Sequence, residues 1–323
     1  MTERTSRQPG VSVVIPSYNS RDTILDCLRA LLTQDPVQPL EIIVVDSSND
    51  GTADLIEAEC PEVELVRLPR RTHAGIGRNI GAERARGDIL AFTDADCLPA
   101  PDWLENVLRN QVSTTSQESG EAPREAIVAG SIDNGTPESL VGTADWLIEF
   151  SNAFPGLPQH DVTFAATANF SLSRELFLST PGFDDSRTGQ DMVFGKLLHE
   201  LGYRIRFDSK TRVAHRNRVR LLHFFRRQYQ LGYGSAYIRR ELPLHGHWIA
   251  KVPPLVPALL PYRLFQVVKR SLRANRRTVL SLLKTAPLIV AGLGAWTTGF
   301  LAGTVGPRPS HGDTGATAEN TES

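Results

Sequence analysis

Ile89-Leu90-Ala91-Phe92-Thr93-Asp94-Ala95-Asp96 is an apolar run that breaks into two carboxylates one residue apart. The run reads as a buried strand over 88–93, of the kind found in parallel sheets covered by helices on both faces. Open α/β sheets bind ligands at the carboxyl ends of such strands. Paired carboxylates at that rim suit a hard divalent cation whose shell is completed by phosphate oxygens. The pattern therefore predicts a phosphorylated ligand.

The same punctuation recurs towards the N-terminus. Val11 to Ile15 reads as a strand stopped by Pro16 and followed by Ser17-Tyr18-Asn19. Ser20 to Leu32 is helical, with Ile24, Leu25, Leu28, Leu31 and Leu32 on one face and Ser20 as the expected N-cap. Glu41 to Val45 is a second strand, ending at Asp46-Ser47-Ser48; a helix over 53–59, a strand over 63–68 and a helix over 76–86 follow. Strands alternating with helices at this spacing predict right-handed β-α-β units and a parallel sheet. Adjacent strand ends converge on one crevice, where Tyr18 can stack on a base and Asp46 can accept from it; a strand-end Asp serves equally as a turn residue. Gly75-Ile76-Gly77-Arg78-Asn79-Ile80-Gly81 invites a dinucleotide-binding reading. That fingerprint must follow the first strand directly, where this chain has Pro16-Ser17-Tyr18-Asn19, so a glycine-rich helix start packed near the ligand is expected instead.

Towards the C-terminus, a helix over 101–112 precedes a Ser/Thr/Glu-rich stretch, 113–125, expected to be a mobile loop. Strand-like segments at 126–132, 163–173, 203–207 and 211–215, and helices at 190–201 and 221–240, complete this half.

The 323 residues carry a formal net charge of −1, so no global attraction to nucleic acid is expected. From Leu242 to Gly312 there is no Asp or Glu, while Lys251, Arg263, Lys269, Arg270, Arg273, Arg276, Arg277, Lys284 and Arg308 fall inside it. Cys27, Cys60 and Cys97 form no close pair, which indicates neither a zinc site nor a disulfide framework and fits a reducing cytosol. The polar start, Met1 to Gly10, has no secretory signal pattern.

Val252 to Pro261 is apolar but broken by prolines, Arg263 to Arg277 is basic and amphipathic, and Thr285 to Gly306 runs 22 residues without a charge. About 20 residues suffice to span a bilayer. The basic flank favours an anionic membrane surface, with a buried helix of a soluble fold as the alternative.

The chain resembles the glycosyltransferase family 2 enzymes, which have the nucleotide-sugar-binding GT-A fold. The resemblance is carried by Val11 to Asn19, Ile42 to Thr52, Gly77 to Gly81 and Asp94-Ala95-Asp96. It covers 10–110 strongly and 160–235 more loosely, and is specific to the family but barely to the sugar. It implies an α/β GT-A domain over 11–245, with a nucleotide-sugar half (11–112) and an acceptor half (126–245). Residues 246–306 are then expected as basic and apolar membrane-associated helices, between a disordered start (1–10) and a disordered tail (307–323). It implies that Pro16, Tyr18 and Asp46 contact a nucleoside, usually uridine, with Arg78 near the base or diphosphate. Asp94 would face ribose and metal, and Asp96 would bind Mn²⁺ or Mg²⁺.

Gly189-Gln190-Asp191 stands where the family usually carries Glu-Asp, which implies Asp191 as the general base; a plain N-cap is the alternative. His215 resembles a metal or diphosphate ligand, though a lone His is often structural. Asn169, after Ala166-Thr167-Ala168, resembles the segment lining the sugar and acceptor pocket, with Gln190 beside it. Gln228 lacks the Arg-Trp that processive members carry, which implies one sugar per encounter. Arg216, Arg218, Arg220, Arg226 and Arg227 would meet phosphates or form a solvated face. The expectation is an inverting, metal-dependent transferase using a nucleotide-sugar donor and a lipid-linked or envelope glycan acceptor, at the cytoplasmic face of the inner membrane. The alternatives are a nucleotidyltransferase and an inactive membrane-associated binding protein.

Overall fold

A computed structural model describes residues 10–34, 40–113, 126–185 and 188–307. The disordered start and tail and the mobile loop at 113–125 were expected on residues that lie, all but their edges, outside these ranges.

β1 (Val11–Ser17), α1 (Ile24–Leu32), β2 (Leu40–Asp46), α2 (Thr52–Glu59), β3 (Glu64–Arg67), α3 (Ala74–Arg84) and β4 (Ile89–Thr93) alternate in the expected order. β1 pairs in parallel with β2 on one side and β4 on the other, and β3 lies outside β2. The order β3-β2-β1-β4 places a topological switch point between β1 and β4, where two connections leave in opposite directions and open a crevice. Val13, Val14, Ile15, Leu90, Ala91 and Phe92 are fully buried, as two-sided coverage demands. The expected N-cap at Ser20 is corrected. α1 begins at Ile24 behind Thr23, and Ser20 closes a preceding turn through its carbonyl, accepting from Thr23 N at 3.0 Å and Ile24 N at 2.9 Å.

The chain continues through β5 (Cys97–Pro99), α4 (Trp103–Ser113), β6 (Ile127–Asn134), α5 (Leu140–Glu149), β7 (His160–Val162), β8 (Asn169–Ser173), α6 (Arg174–Leu178), α7 (Gln190–Glu200) and β9 (Ile205–His215). The sheet becomes mixed here, in the order β4-β8-β6-β9-β5, with β8 antiparallel to β4 and β6 parallel to β9. The two short strands expected at 203–207 and 211–215 are one strand with a bulge. Pairing to β6 jumps from Gly130–Asp208 to Ser131–Arg212, and the Asp208 carboxylate accepts from Thr211 Oγ1 at 2.7 Å and Asn110 Nδ2 at 2.9 Å. α5 was not foreseen, because most of its residues are buried and no amphipathic period marks it.

α8 (Leu221–Glu241), α9 (His247–Ala250), a 3₁₀ turn (Pro253–Ala258), α10 (Leu259–Ala274) and α11 (Arg276–Gly303) close the fold. Asn275 divides the basic stretch in two by capping α11: its Oδ1 accepts from Thr278 N at 2.9 Å. α11 is long and apolar enough to cross a membrane, with a mean hydropathy of 1.6. Its buried stripe, Leu282, Ile289, Leu293, Trp296 and Phe300, packs on the protein, and Leu282, Ile289 and Leu293 join the same apolar core as the sheet. Against α8 the approach is backbone to backbone. A Cβ on Gly232 would overlap the Trp296 carbonyl, and one on Gly299 would overlap the Tyr229 carbonyl.

Candidate active site

A cavity of about 1270 Å³ opens at the β1 and β4 ends and runs to the faces of α8 and α10. Pro16, Tyr18, Arg78 and Asp94 line it at the sheet end, and Asp96, His215, Gln190 and Asp191 line it further in.

Arg78 arrives there because α3 lies unusually close to β1. A Cβ on Gly81 would overlap Val14, and one on Gly77 would sit 3.2 Å from Pro16 Cβ. The glycine-rich helix start thus lets a helix settle on a strand. Buried Arg78 donates to the Asp94 carboxylate in a short ion pair. Tyr18 is exposed at the mouth, with the Arg71 guanidinium 4.4 Å from its ring centre. Asn19 holds the adjacent loop with φ +51°, donating through its N to Ser48 Oγ at 2.7 Å and accepting at Oδ1 from Asn49 N at 3.1 Å.

Asp96 and His215 meet through strand register. β5 pairs antiparallel with β9, opposing Cys97 to His215, and Arg216 N donates to the Asp96 carbonyl at 2.9 Å. His215 Nε2 consequently stands 3.4 Å from Asp96 Oδ1, while its Nδ1 is 3.0 Å from Asn217 Oδ1. That Asp96 oxygen is buried and, among the described residues, has no hydrogen-bond partner. A buried carboxylate oxygen without a donor is costly. Facing an imidazole nitrogen, beside Asp94, it fits a divalent cation with O and N ligands. Cys97 completes a cluster of possible ligand atoms within 4.8 Å of one another. Burial and the charges of Asp96 and Asp94 push its thiol well up, so it remains an uncharged SH.

Asp191 lies in the first turn of α7, entered by Gly189 at φ +80°. Its Oδ1 accepts from Met192 N at 2.9 Å. Burial pushes its carboxyl up to about 6, against the lowering pull of that hydrogen bond and of Arg78. A carboxylate with this affinity is ionised at neutral pH and basic enough to take a hydroxyl proton in a transition state.

Two expected site residues do not line this cavity. Asn169 is 2% exposed and does not line the cavity. Its amide braces the sheet, donating to Ser131 O at 2.9 Å and Thr211 O at 2.8 Å and accepting from Trp103 Nε1 at 3.0 Å. Asp46 is also buried away from the cavity lining, and its carboxylate accepts from Ser48 Oγ at 2.6 Å and Ser48 N at 3.2 Å. That is the turn role its strand-end position allowed.

Missed by sequence reasoning was an acidic pair on α5. Glu149 accepts from Arg227 Nε at 3.1 Å and Arg218 Nη1 at 3.4 Å, and Asp145 accepts from Gln228 Nε2 at 2.9 Å. Burial opposes ionisation of Glu149, but the Arg227 and Arg218 charges outweigh it and hold its pKa low; burial and the Glu149 charge push Asp145 up. Two acids four residues apart, one inside and one closing the apolar run Leu140 to Ile148, were the available signal. Arg216, in turn, pairs with Asp26.

The model of the family described as Glycosyl transferase family 2 matches residues 12–177. Among curated relatives, the glycosyltransferase AglE of Haloferax volcanii is 39% identical over 106 residues, 31% of this chain and 35% of that protein. The pre-mycofactocin glycosyltransferase of Mycobacterium tuberculosis is 30% identical over 254 residues, 76% of this chain and 50% of that protein. The chain thus spans about a third to a half of the length of these relatives. The mannosyltransferase PcManGT of Pyrobaculum calidifontis, solved with GDP-Man and Mn²⁺, superposes with a TM-score of 0.56 at 22% identity, covering 92% of this chain and 88% of that one. S. aureus TarS 1-349 with UDP-GlcNAc gives 0.52 at 16% identity, covering 91% and 90%. The expected GT-A fold is shared with both.

Proposed function

Because the chain belongs to glycosyl transferase family 2, we propose that it moves one sugar from a nucleoside diphosphate sugar to an acceptor hydroxyl with inversion at the anomeric carbon. The observation that carries this reading is the orphaned Asp96 oxygen facing His215, at the β1/β4 switch point, in the cavity that also holds Asp191. Asp96, Asp94 and His215 would hold a divalent cation, Mn²⁺ or Mg²⁺. When bound, such an ion neutralises charge on a departing diphosphate. The neighbours solved with a nucleotide sugar, one of them also with Mn²⁺, support the same assignment.

The residues of this chain divide the remaining work. Tyr18 offers its ring to the base and Pro16 shapes the pocket wall; Arg78 fixes Asp94 and adds positive charge near the diphosphate. Asp191 accepts the acceptor's hydroxyl proton as the oxygen forms its bond to the anomeric carbon and the bond to the diphosphate breaks. Gln190 stands beside it to orient the sugar or acceptor. Gly75 packs against Gln190, a Cβ there meeting Oε1 at 2.6 Å, so α3 and α7 are set together.

The acceptor is proposed to be lipid-linked or an envelope glycan, reached from the cytoplasmic face of the membrane. Supporting this are the exposed apolar side chains Trp248, Tyr262, Phe265, Leu272, Leu280 and Leu283, interleaved with Lys269, Arg276, Arg277 and Lys284. α11 packs along α8, so the segment 246–306 is read as lying on the membrane surface with the domain.

The test is calorimetric titration with UDP- and GDP-sugars, with and without Mn²⁺, followed by NMR of the product anomer. Metal-dependent binding of a nucleotide sugar and an inverted product are expected. Metal-independent binding, or a retained anomer, would refute the reading.

A further inference from the structure

We propose that the end of the cavity remote from Asp94 is a binding site for a phosphate or diphosphate group carried by the acceptor. The proposal rests on the transferase reading and adds the acceptor's chemical class.

Arg239 of α8 and Arg263, Arg270 and Arg273 of α10 line this end. Spacings of seven and three put the three α10 residues on one helix face. The arginines nearer the sheet are paired: Arg78 with Asp94, Arg216 with Asp26, and Arg218 and Arg227 with Asp145 and Glu149. Among the described residues, none of the four remote arginines forms an ion pair, and α10, which carries three of them, has no acidic residue.

Three of them are nevertheless fixed, and the fourth, Arg273, is exposed at the rim. The Arg263 guanidinium lies 3.9 Å from the Trp296 ring centre, with its Nε buried and, among the described residues, without a hydrogen-bond partner. Arg270 donates to Ser151 Oγ at 3.0 Å. Arg239 donates to Ser235 O at 3.1 Å and to His245 O at 3.0 Å. Burial, and for Arg263 also the charges of Arg239 and Arg270, pulls these groups down, Arg263 to about 10. The carboxylate whose charge reaches Arg263 is Glu149, which is already shared by Arg218 and Arg227, and gathering several like charges around so little negative charge is unfavourable unless an anion completes the set. Held guanidiniums that present several N–H groups match phosphate oxygens. The donor diphosphate is accounted for at the sheet end, so this anion belongs to the second substrate.

The experiment is calorimetric titration of the full chain with inorganic phosphate and with octyl phosphate, in the presence of saturating UDP and Mn²⁺. Saturable binding is expected. Arg263→Gln/Arg270→Gln should weaken it by about tenfold or more, while UDP affinity stays within about twofold. Arg273→Gln, which leaves the Trp296 stack intact, should weaken it as well and covers the case in which the double variant fails to fold. Octyl phosphate binding much tighter than phosphate would identify a lipid-linked acceptor; equal binding would identify a soluble phosphorylated one. Absent binding, or binding equal in wild type and variants, overturns the proposal. If UDP shows no metal-dependent binding but arginine-dependent phosphate binding persists, the donor reading fails and the anion site stands.

Discussion

The two ends of the cavity are built from different materials. At the sheet end, functional groups sit at strand termini whose positions follow from backbone pairing: Asp94 behind β4, Asp96 ahead of β5, and His215 set against Cys97 by register. At the far end, groups sit on helix faces whose positions depend on side-chain packing and on glycines at the α8–α11 contact. A strand ladder cannot shift by less than a residue, whereas a helix can slide, tilt or be replaced. The proposed metal ligands are thus set by the sheet, whereas the proposed base Asp191 and the proposed acceptor-binding arginines are carried by helices.

The strongest way to break this division is at Asp96. Asp96→Asn should reduce transfer by about a thousandfold or more and abolish metal-dependent nucleotide binding in calorimetry, since charge at the leaving group is the largest electrostatic contribution. Asp191→Asn should cost about 10²- to 10⁴-fold in kcat while sparing nucleotide binding, the signature of a proton-transfer residue. The wild-type rate should fall as pH drops through about 6, where Asp191 takes up a proton. The same group makes a stability prediction of opposite sense. Its folded pKa of about 6 lies above the ordinary carboxyl value of 3.8, so the folded state binds more protons between those values. Stability contributed there is lost as pH rises to about 6, and Asp191→Asn should recover on the order of 1 to 3 kcal/mol in denaturant unfolding at pH 7.5.

Effects on the helical wall should be smaller and fall on stability. Glu149→Gln strands Arg218 and Arg227 in a buried setting and should cost about 3 kcal/mol, with Asp145 taking up part of the lost pairing. Gly232→Val would drive α8 and α11 apart at the Trp296 carbonyl and should cost about 1 to 3 kcal/mol, read as a lowered Tm. If Gly232→Val instead abolished nucleotide binding at unchanged Tm, the separation of the two ends would be wrong.

The same contrast governs what the sequence revealed. β1, β2 and β4 were legible because strands buried on both faces leave unbroken apolar runs. The Asp94/Asp96 pair, Asp191 and His215 were legible because they lie at or next to the ends of recognisable elements, and Arg78 because it sits in the glycine-rich start of α3; all of them reach the cavity. Asn169 does not line the cavity: its amide is engaged by the Ser131 and Thr211 carbonyls and the Trp103 indole, partners that sequence does not display. Asp46 does not line it either, and its carboxylate is held by its neighbour Ser48. α5 escaped because burial around most of its circumference erases helical periodicity. The arginines of α10 were noticed as a basic amphipathic face and assigned to a membrane. Amphipathicity records that a face is polar, and the medium it meets is set by tertiary packing; here that medium is the cavity for Arg263, Arg270 and Arg273.

The close seating of α11 on α8 bears on how this protein can be cut. An apolar C-terminal helix invites removal to obtain a more tractable fragment. A chain stopped before Arg276 would lose Trp296, and with it the ring that covers Arg263. It would also uncover Phe224, against which Gly292 is packed, and leave Gly232 and the Tyr229 carbonyl facing solvent. Such a fragment would keep its strands and its carboxylates but have a missing wall, so donor hydrolysis could survive trimming that eliminates productive transfer.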